Sequence, residues 1–174
     1  MRDHVHEQQR ARALLLLLRR SGSAAARFGS AVALLALAAP AAAHVRAAVD
    51  ALVALATREP EGGVKLVVLA RLLDAVLPRW PAALQAAVPG LLRVLAAPDP
   101  PVRRLCLRLL AASTTSRSAP DVVRVLRREL RAPHVAPDYR RDLLDALHAC
   151  AQRFADVAPD AMNAYLDLLQ DTTA

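Results

Sequence analysis

The stretch that decides the fold is Val88-Pro89-Gly90-Leu91-Leu92-Arg93-Val94-Leu95, followed by Ala96-Ala97, the turn Pro98-Asp99-Pro100-Pro101, and then Val102-Arg103-Arg104-Leu105-Cys106-Leu107-Arg108-Leu109-Leu110. Its first part predicts one helix, kinked at Pro89. Asp99 stands where a side chain caps the next helix, and Pro101 falls in a first turn, where a missing N–H costs nothing. Val102, Leu105, Cys106, Leu109 and Leu110 then recur at i, i+3, i+4, i+7 and i+8, which draws one apolar helical face. Arg104 and Arg108 lie opposite.

Working outward, the unit repeats. Ala26-Arg27, Val64-Lys65, Val102-Arg103 and Tyr139-Arg140 are each a small or apolar residue followed by a base, and the bases are 38, 38 and 37 residues apart. A turn signal precedes every pair: Ser21-Gly22-Ser23, Glu61-Gly62-Gly63, Pro98-Asp99-Pro100 and Pro137-Asp138. An apolar helical run follows each. A period near 38 residues with two helices per unit is the mark of a HEAT- or ARM-like α-solenoid. The all-α layout is about four and a half units, at 4–38, 41–77, 81–113 and 119–154, with a lone helix at 158–170. It forms a single solenoid segment over residues 1–174. In such units a base at the position of Arg103 bonds the preceding turn, so Arg27, Lys65, Arg103 and Arg140 are expected to form a structural ladder between repeats. The helix at 64–76 has only Lys65, Arg71 and Asp74 as charges and is expected to be packed on more than one side. Leu14–Leu18 and Met162–Leu169 leave the end helices without the polar outer face of a cap, which suggests a slice of a longer superhelix or a truncated product.

Composition agrees. Apolar residues make up 55% of the 174, enough for a core, while aromatics at 3% and five glycines exclude a β-sandwich or a Gly-rich nucleotide fold. Two cysteines cannot make a disulfide framework, which points to a reduced, cytoplasmic setting. Cys106 and Cys150 fall on apolar helix faces and read as structural thiols. The apolar stretch 28–43 is short and broken by Pro40, so no membrane span is expected. Residues 8–49 hold six arginines and no acid, the pattern of a transit peptide, but they also carry the repeat spacing.

No catalytic motif appears: there is no nucleophile elbow, phosphate loop or zinc-binding helix. His4, His6, His44, His134 and His148 are scattered. Helical geometry places His148 and Cys150 about 200° apart, unsuited to chelation. No enzyme activity, catalytic residue, metal site or cofactor is expected.

Net charge is +7 and uneven. Residues 101–135 hold eight arginines against two acids, whereas 136–174 hold three against seven. Arg124, Arg127, Arg128 and Arg131 follow i, i+3, i+4 and i+7, one stripe on a helix. With Arg104 and Arg108 they form a candidate surface. It reads as a solvated face, as a site for an acidic protein partner or a membrane, or as a phosphate grip for nucleic acid. No aromatic residues interleave it, so base stacking is not suggested and nucleic acid is not expected.

The order of certain segments is more specific than the repeat. Gly63-Val64-Lys65-Leu66-Val67-Val68-Leu69-Ala70-Arg71-Leu72 comes first, then Leu92-Arg93-Val94-Leu95 with Pro98-Asp99 and Val102-Arg103. Val125-Leu126-Arg127-Arg128-Glu129-Leu130, Tyr139-Arg140-Arg141-Asp142-Leu143-Leu144 and Leu147-His148-Ala149-Cys150-Ala151-Gln152-Arg153-Phe154-Ala155-Asp156 follow. Across residues 7–170 this order resembles the beta subunits of coatomer, the coat of Golgi-derived vesicles, in their adaptin-like trunk. The chain departs from it in the Ala-rich 24–43, the turn at 78–81, Pro89 and the loop 132–136. The resemblance implies a non-enzymatic scaffold of Golgi-to-ER and intra-Golgi transport. It implies binding to other coatomer subunits, delta above all, and to an Arf-type GTPase, peripheral on Golgi membrane and vesicles. An unrelated HEAT-type adaptor and, more remotely, a basic nucleic-acid-binding solenoid are the competing readings.

Overall fold

The computed structural model describes residues 2–133 and 135–172, with side chains from His6 to Leu169 apart from position 134. His134 and the side chain of His4 therefore lie outside the described residues. Among the described residues nine α-helices follow one another: α1 (Arg2–Arg20), α2 (Ala24–Leu35), α3 (Ala42–Arg58), α4 (Gly62–Arg71), α5 (Pro81–Val94), α6 (Pro100–Ser113), α7 (Ala119–Leu130), α8 (Pro137–Arg153) and α9 (Ala158–Thr172). No strand occurs among the described residues.

The helices start where the sequence supplies a start. Ser23 Oγ accepts from the Ala26 amide at the head of α2. Proline occupies the first turn of α5, α6, α7 and α8, where its fixed φ suits the helix and its absent donor is not missed. α5 runs without interruption through Pro89. Pro89 and Gln85 both lie on the exposed side, so the Gln85 carbonyl that loses its amide partner faces water.

Asp99 departs from expectation. It occupies the N-cap position of α6, but its side chain makes no capping hydrogen bond. Its carboxylate instead lies against Gly62 at the start of α4, where a Cβ would fall 2.3 Å from Asp99 Oδ2. A carboxylate is electrostatically at home at a helix N-terminus, and glycine leaves room for it.

α4 ends in a single π-turn, Leu72–Val76, closed by the Leu77 amide donating to Leu72 O at 2.9 Å. This turn keeps both Leu72 and Val76 fully buried.

Successive helices pack as antiparallel pairs, and the pairs stack in two layers. α3 packs on α5 in the odd-numbered layer; α4 packs on α6, and α6 on α8, in the even-numbered one. The core runs between the layers as a line of fully buried leucines, including Leu34, Leu52, Leu69, Leu91, Leu109, Leu126 and Leu143. Each fully buried leucine contributes roughly 2 kcal/mol of transfer free energy. Of the 102–110 face, Val102, Cys106, Leu109 and Leu110 are buried as the spacing requires, Leu105 is half-buried, and Leu107 is buried at the edge.

The even layer is open at one end. Between α2 and α4 lies a groove of about 470 Å³ lined by Ala24, Ala25, Phe28, Val64, Val67 and Val68. Val67 is 58% exposed there, so α4 is not enclosed as its composition suggests. In the odd layer α5 and α7 diverge around a second groove near Gln85, Pro89 and Arg117. Leu16 and Leu17 of α1, and Met162, Leu166 and Leu169 of α9, are exposed.

Candidate functional site

α7 is sharply two-sided. Ala119, Val122, Val123, Leu126 and Leu130 are buried, and the arginines occupy the other face. The spacing therefore delivers the stripe of Arg124, Arg127, Arg128 and Arg131, and all but Arg127 are exposed. The stripe borders a groove of about 440 Å³ between α7 and α9, with Pro120 and Val123 also in its wall.

Every member of the stripe has a carboxylate of its own chain. Arg127 reaches Asp160 at 3.3 Å and Asp167 at 3.6 Å, and Arg131 hydrogen-bonds Asp167. Arg124 pairs with Asp121 at 3.0 Å and Arg128 with Glu129 at 3.7 Å. The Arg131 hydrogen bond, aided by the charge of Arg127, holds the Asp167 carboxyl below its ordinary pKa. The acidic C-terminal end of the chain thus meets its basic block through α9. Arg104 belongs to a different place. It lies on α6 and bridges to Asp142 at 3.1 Å and Asp138 at 3.6 Å on α8. Arg108, one turn along, has no ion pair among the described residues and is exposed. The six arginines therefore divide into a stripe on α7–α9 and a pair on α6–α8.

The four candidate ladder bases have four environments. The Arg103 guanidinium donates to Pro98 O at 3.0 Å and lies 5.1 Å from the centre of the Tyr139 ring, so it touches the preceding turn and the following unit. Arg27 is half-buried, with its Nε unpartnered; Lys65 is half-buried; Arg140 is exposed. In the fourth unit the inward position is taken by Tyr139, whose hydroxyl burial, with the Glu129 charge, pushes up to about 12.

A residue that the repeat pattern does not single out holds units three and four together. Arg153, in the last turn of α8, donates to Ala111 O at 2.5 Å and Thr114 O at 3.3 Å, and its guanidinium lies 5.1 Å from the Phe154 ring centre. It thereby satisfies carbonyls at the C-terminal end of α6. The available signal was its place as a base closing a helix, next to an aromatic residue.

Neither thiol is poised for chemistry. Cys106 is fully buried, donates to Leu91 O at 3.1 Å, and burial pushes it up to about 12. Burial also raises Cys150, against a smaller lowering by Arg153. The nucleophilic thiolate form is thus disfavoured at both. No group of three or more His, Cys, Asp or Glu side chains among the described residues could hold a metal ion, and none of their helices is long and apolar enough to cross a membrane.

Comparison with known proteins adds a family. The adaptin N-terminal region matches residues 3–174. The chain is 34% identical over 181 residues to coatomer subunit beta of Sus scrofa, covering 97% of the chain and 19% of that relative. It is 34% identical over 178 residues to coatomer subunit beta of Drosophila melanogaster, covering 97% and 18%. With coatomer subunit beta of Saccharomyces cerevisiae it shares 33% over 130 residues, covering 71% and 13%. The chain spans about a fifth of the length of the first two relatives and less of the third.

Proposed function

Because the chain belongs to the adaptin N-terminal family, we propose that it is a non-enzymatic scaffold, a length of solenoid that binds sister subunits of a vesicle coat. One observation carries this reading: the likeness to coatomer subunit beta extends along 97% of the chain. A solenoid is suited to such work, because stacked helix pairs offer long faces on which many weak contacts add up.

In finer terms, the partners are other coatomer subunits, delta above all, and an Arf-type GTPase. The chain works at the cytoplasmic face of Golgi membranes and on their vesicles, in Golgi-to-ER and intra-Golgi transport, and meets the membrane through these partners. The α7–α9 stripe is the face offered to an acidic partner, which would exchange with Asp160 and Asp167 for Arg127 and Arg131. Arg27, Lys65, Arg103 and Arg140 act between repeats. The two-way contact of Arg103 supports that role, and the exposure of Arg140 makes it the weakest rung.

The test is an affinity capture with this chain as bait from cytosol of its own source, read by mass spectrometry. Recovery of coatomer subunits is the expected result. Their absence, from bait shown by circular dichroism to be helical, overturns the coat reading and leaves the solenoid.

A further inference from the structure

A second surface, on α6 and α8, is built to a pattern that neither the repeat nor the family match assigns. Along α6 the residues Arg104, Leu107, Arg108 and Ala111 stand at i, i+3, i+4 and i+7; along α8, Asp142, Asp145, Ala146 and Ala149 do the same. The two strips face one another across a groove of about 370 Å³. Leu107 and Ala146 are buried and form its floor. One end is closed by the Arg104–Asp142 bridge. The other end is lined by the small side chains Ala111 and Ala149. One turn in from the bridge, Arg108 on one rim and Asp145 on the other are exposed and have no ion pair among the described residues.

We infer that this groove docks an amphipathic helix of a partner protein, with acidic residues along one flank of its apolar seam and basic residues along the other. The inference rests on the scaffold reading only for the existence of a partner. Three features select the occupant. Both walls are α-helices whose amides are bonded internally, so they have no free backbone edge for an extended peptide; a helix, which satisfies its own backbone, can dock with side chains alone. The alanines let a ridge of apolar side chains settle between α6 and α8, as helix packing requires. The rim carries opposite charges on opposite sides, so an all-acidic surface, a lipid headgroup layer included, would meet Asp142 and Asp145 as well as Arg108. Turning a helix end for end exchanges its flanks, so the side on which it is acidic sets the direction in which it lies.

The test uses three fluorescein-labelled helical peptides with one Leu/Ala seam and flanks that are mixed, all glutamate or all lysine. Binding to the whole chain is read by anisotropy. The mixed peptide is expected to bind about fivefold to tenfold tighter than either single-sign peptide at low salt, the size expected of a few exposed charge pairs. That preference should fade at 1 M salt, on the order of a 3 Å screening length. Asp145→Lys should move the preference to the all-glutamate peptide and Arg108→Glu to the all-lysine one, with unchanged circular dichroism. Equal binding of all three peptides, or a preference that neither variant moves, overturns the inference. The two readings fail separately. Coatomer subunits captured by a bait with no peptide preference sink the groove and leave the coat. A preference that switches in a bait capturing no coat subunit sinks the coat and leaves the groove.

Discussion

Gly90 is buried in the second half of α5, which packs on α3, and a methyl group there should weaken the protein although it improves the helix. A Cβ at position 90 would lie 2.4 Å from Val53 Cγ1. Valine in a helix is nearly confined to one χ1 rotamer, so Val53, itself buried, cannot swing aside, and α3 and α5 must move apart instead. Overpacking of this kind costs about 1–3 kcal/mol. Replacing glycine by alanine inside a helix returns about 1 kcal/mol. The expected balance for Gly90→Ala is a loss of about 1 kcal/mol, or a midpoint lowered by roughly 2–4 °C in a chain of this size. Val53→Ala alone should cost about 2 kcal/mol, from lost carbon burial and the space left behind. In that background Gly90→Ala has room and should stabilise by up to about 1 kcal/mol. The two substitutions are therefore coupled by about 2 kcal/mol and the effect at 90 changes sign. Thermal and urea melts of the four proteins measure it. A Gly90→Ala protein more stable than the parent, with no coupling to Val53, would refute the close approach of α3 and α5.

Three further outcomes follow from the described contacts. Arg153→Ala should lower stability by about 1–2 kcal/mol by unpairing carbonyls at the end of α6, and Arg153→Lys should recover only part of it, because an ammonium lacks the forked geometry; equal melts for parent and alanine variant would remove the strap. Cys106 and Cys150 should resist iodoacetamide at pH 8 in the folded chain and label fully in denaturant, which mass spectrometry reads directly. The Asp167 carboxyl, whose folded pKa lies below its unfolded one, stabilises the α7–α9 contact above roughly pH 4, and that contribution disappears as pH falls through the lower folded value. Asp167→Asn should flatten this acid limb in melts taken from pH 6 down to pH 3, and an unchanged limb would exclude Asp167 as its source.

The helices were legible because their punctuation is chemical. The apolar face read at Val102–Leu110 lies on α6, Pro100–Ser113, and the arginine stripe read as helical runs along α7, Ala119–Leu130. Both carry proline in their first turn, Pro100 and Pro101 in α6 and Pro120 in α7. What periodicity could not show is how neighbouring helices approach. A heptad-like count treats the 64–76 run as evenly apolar, but the gap between α2 and α4 leaves Val67 in the open. Asp99 reads as a local cap, yet the nearby start of α4 draws it away. The stripe on α7 was plain from i, i+3, i+4 and i+7 spacing, and the charge reversal after residue 135 was plain from counting. That the two meet as Arg127 and Arg131 against Asp160 and Asp167 depends on the path of α8, which brings α9 back beside α7.

The π-turn at Leu72–Val76 has a consequence for how such chains change in length. An α-helix advances about 100° and 1.5 Å per residue, so one residue too many would swing everything after it off its seat. Here the surplus is absorbed in a single widened turn, and Leu69 before it and Leu72 and Val76 within it stay buried. The turn is therefore a length buffer. Deleting one residue from it can restore an ordinary helix while Pro78–Trp80 and α5 keep their places. Insertions and deletions along this lineage should gather there, and not in the tightly meshed α3–α5 contact, where no slack exists to take them up.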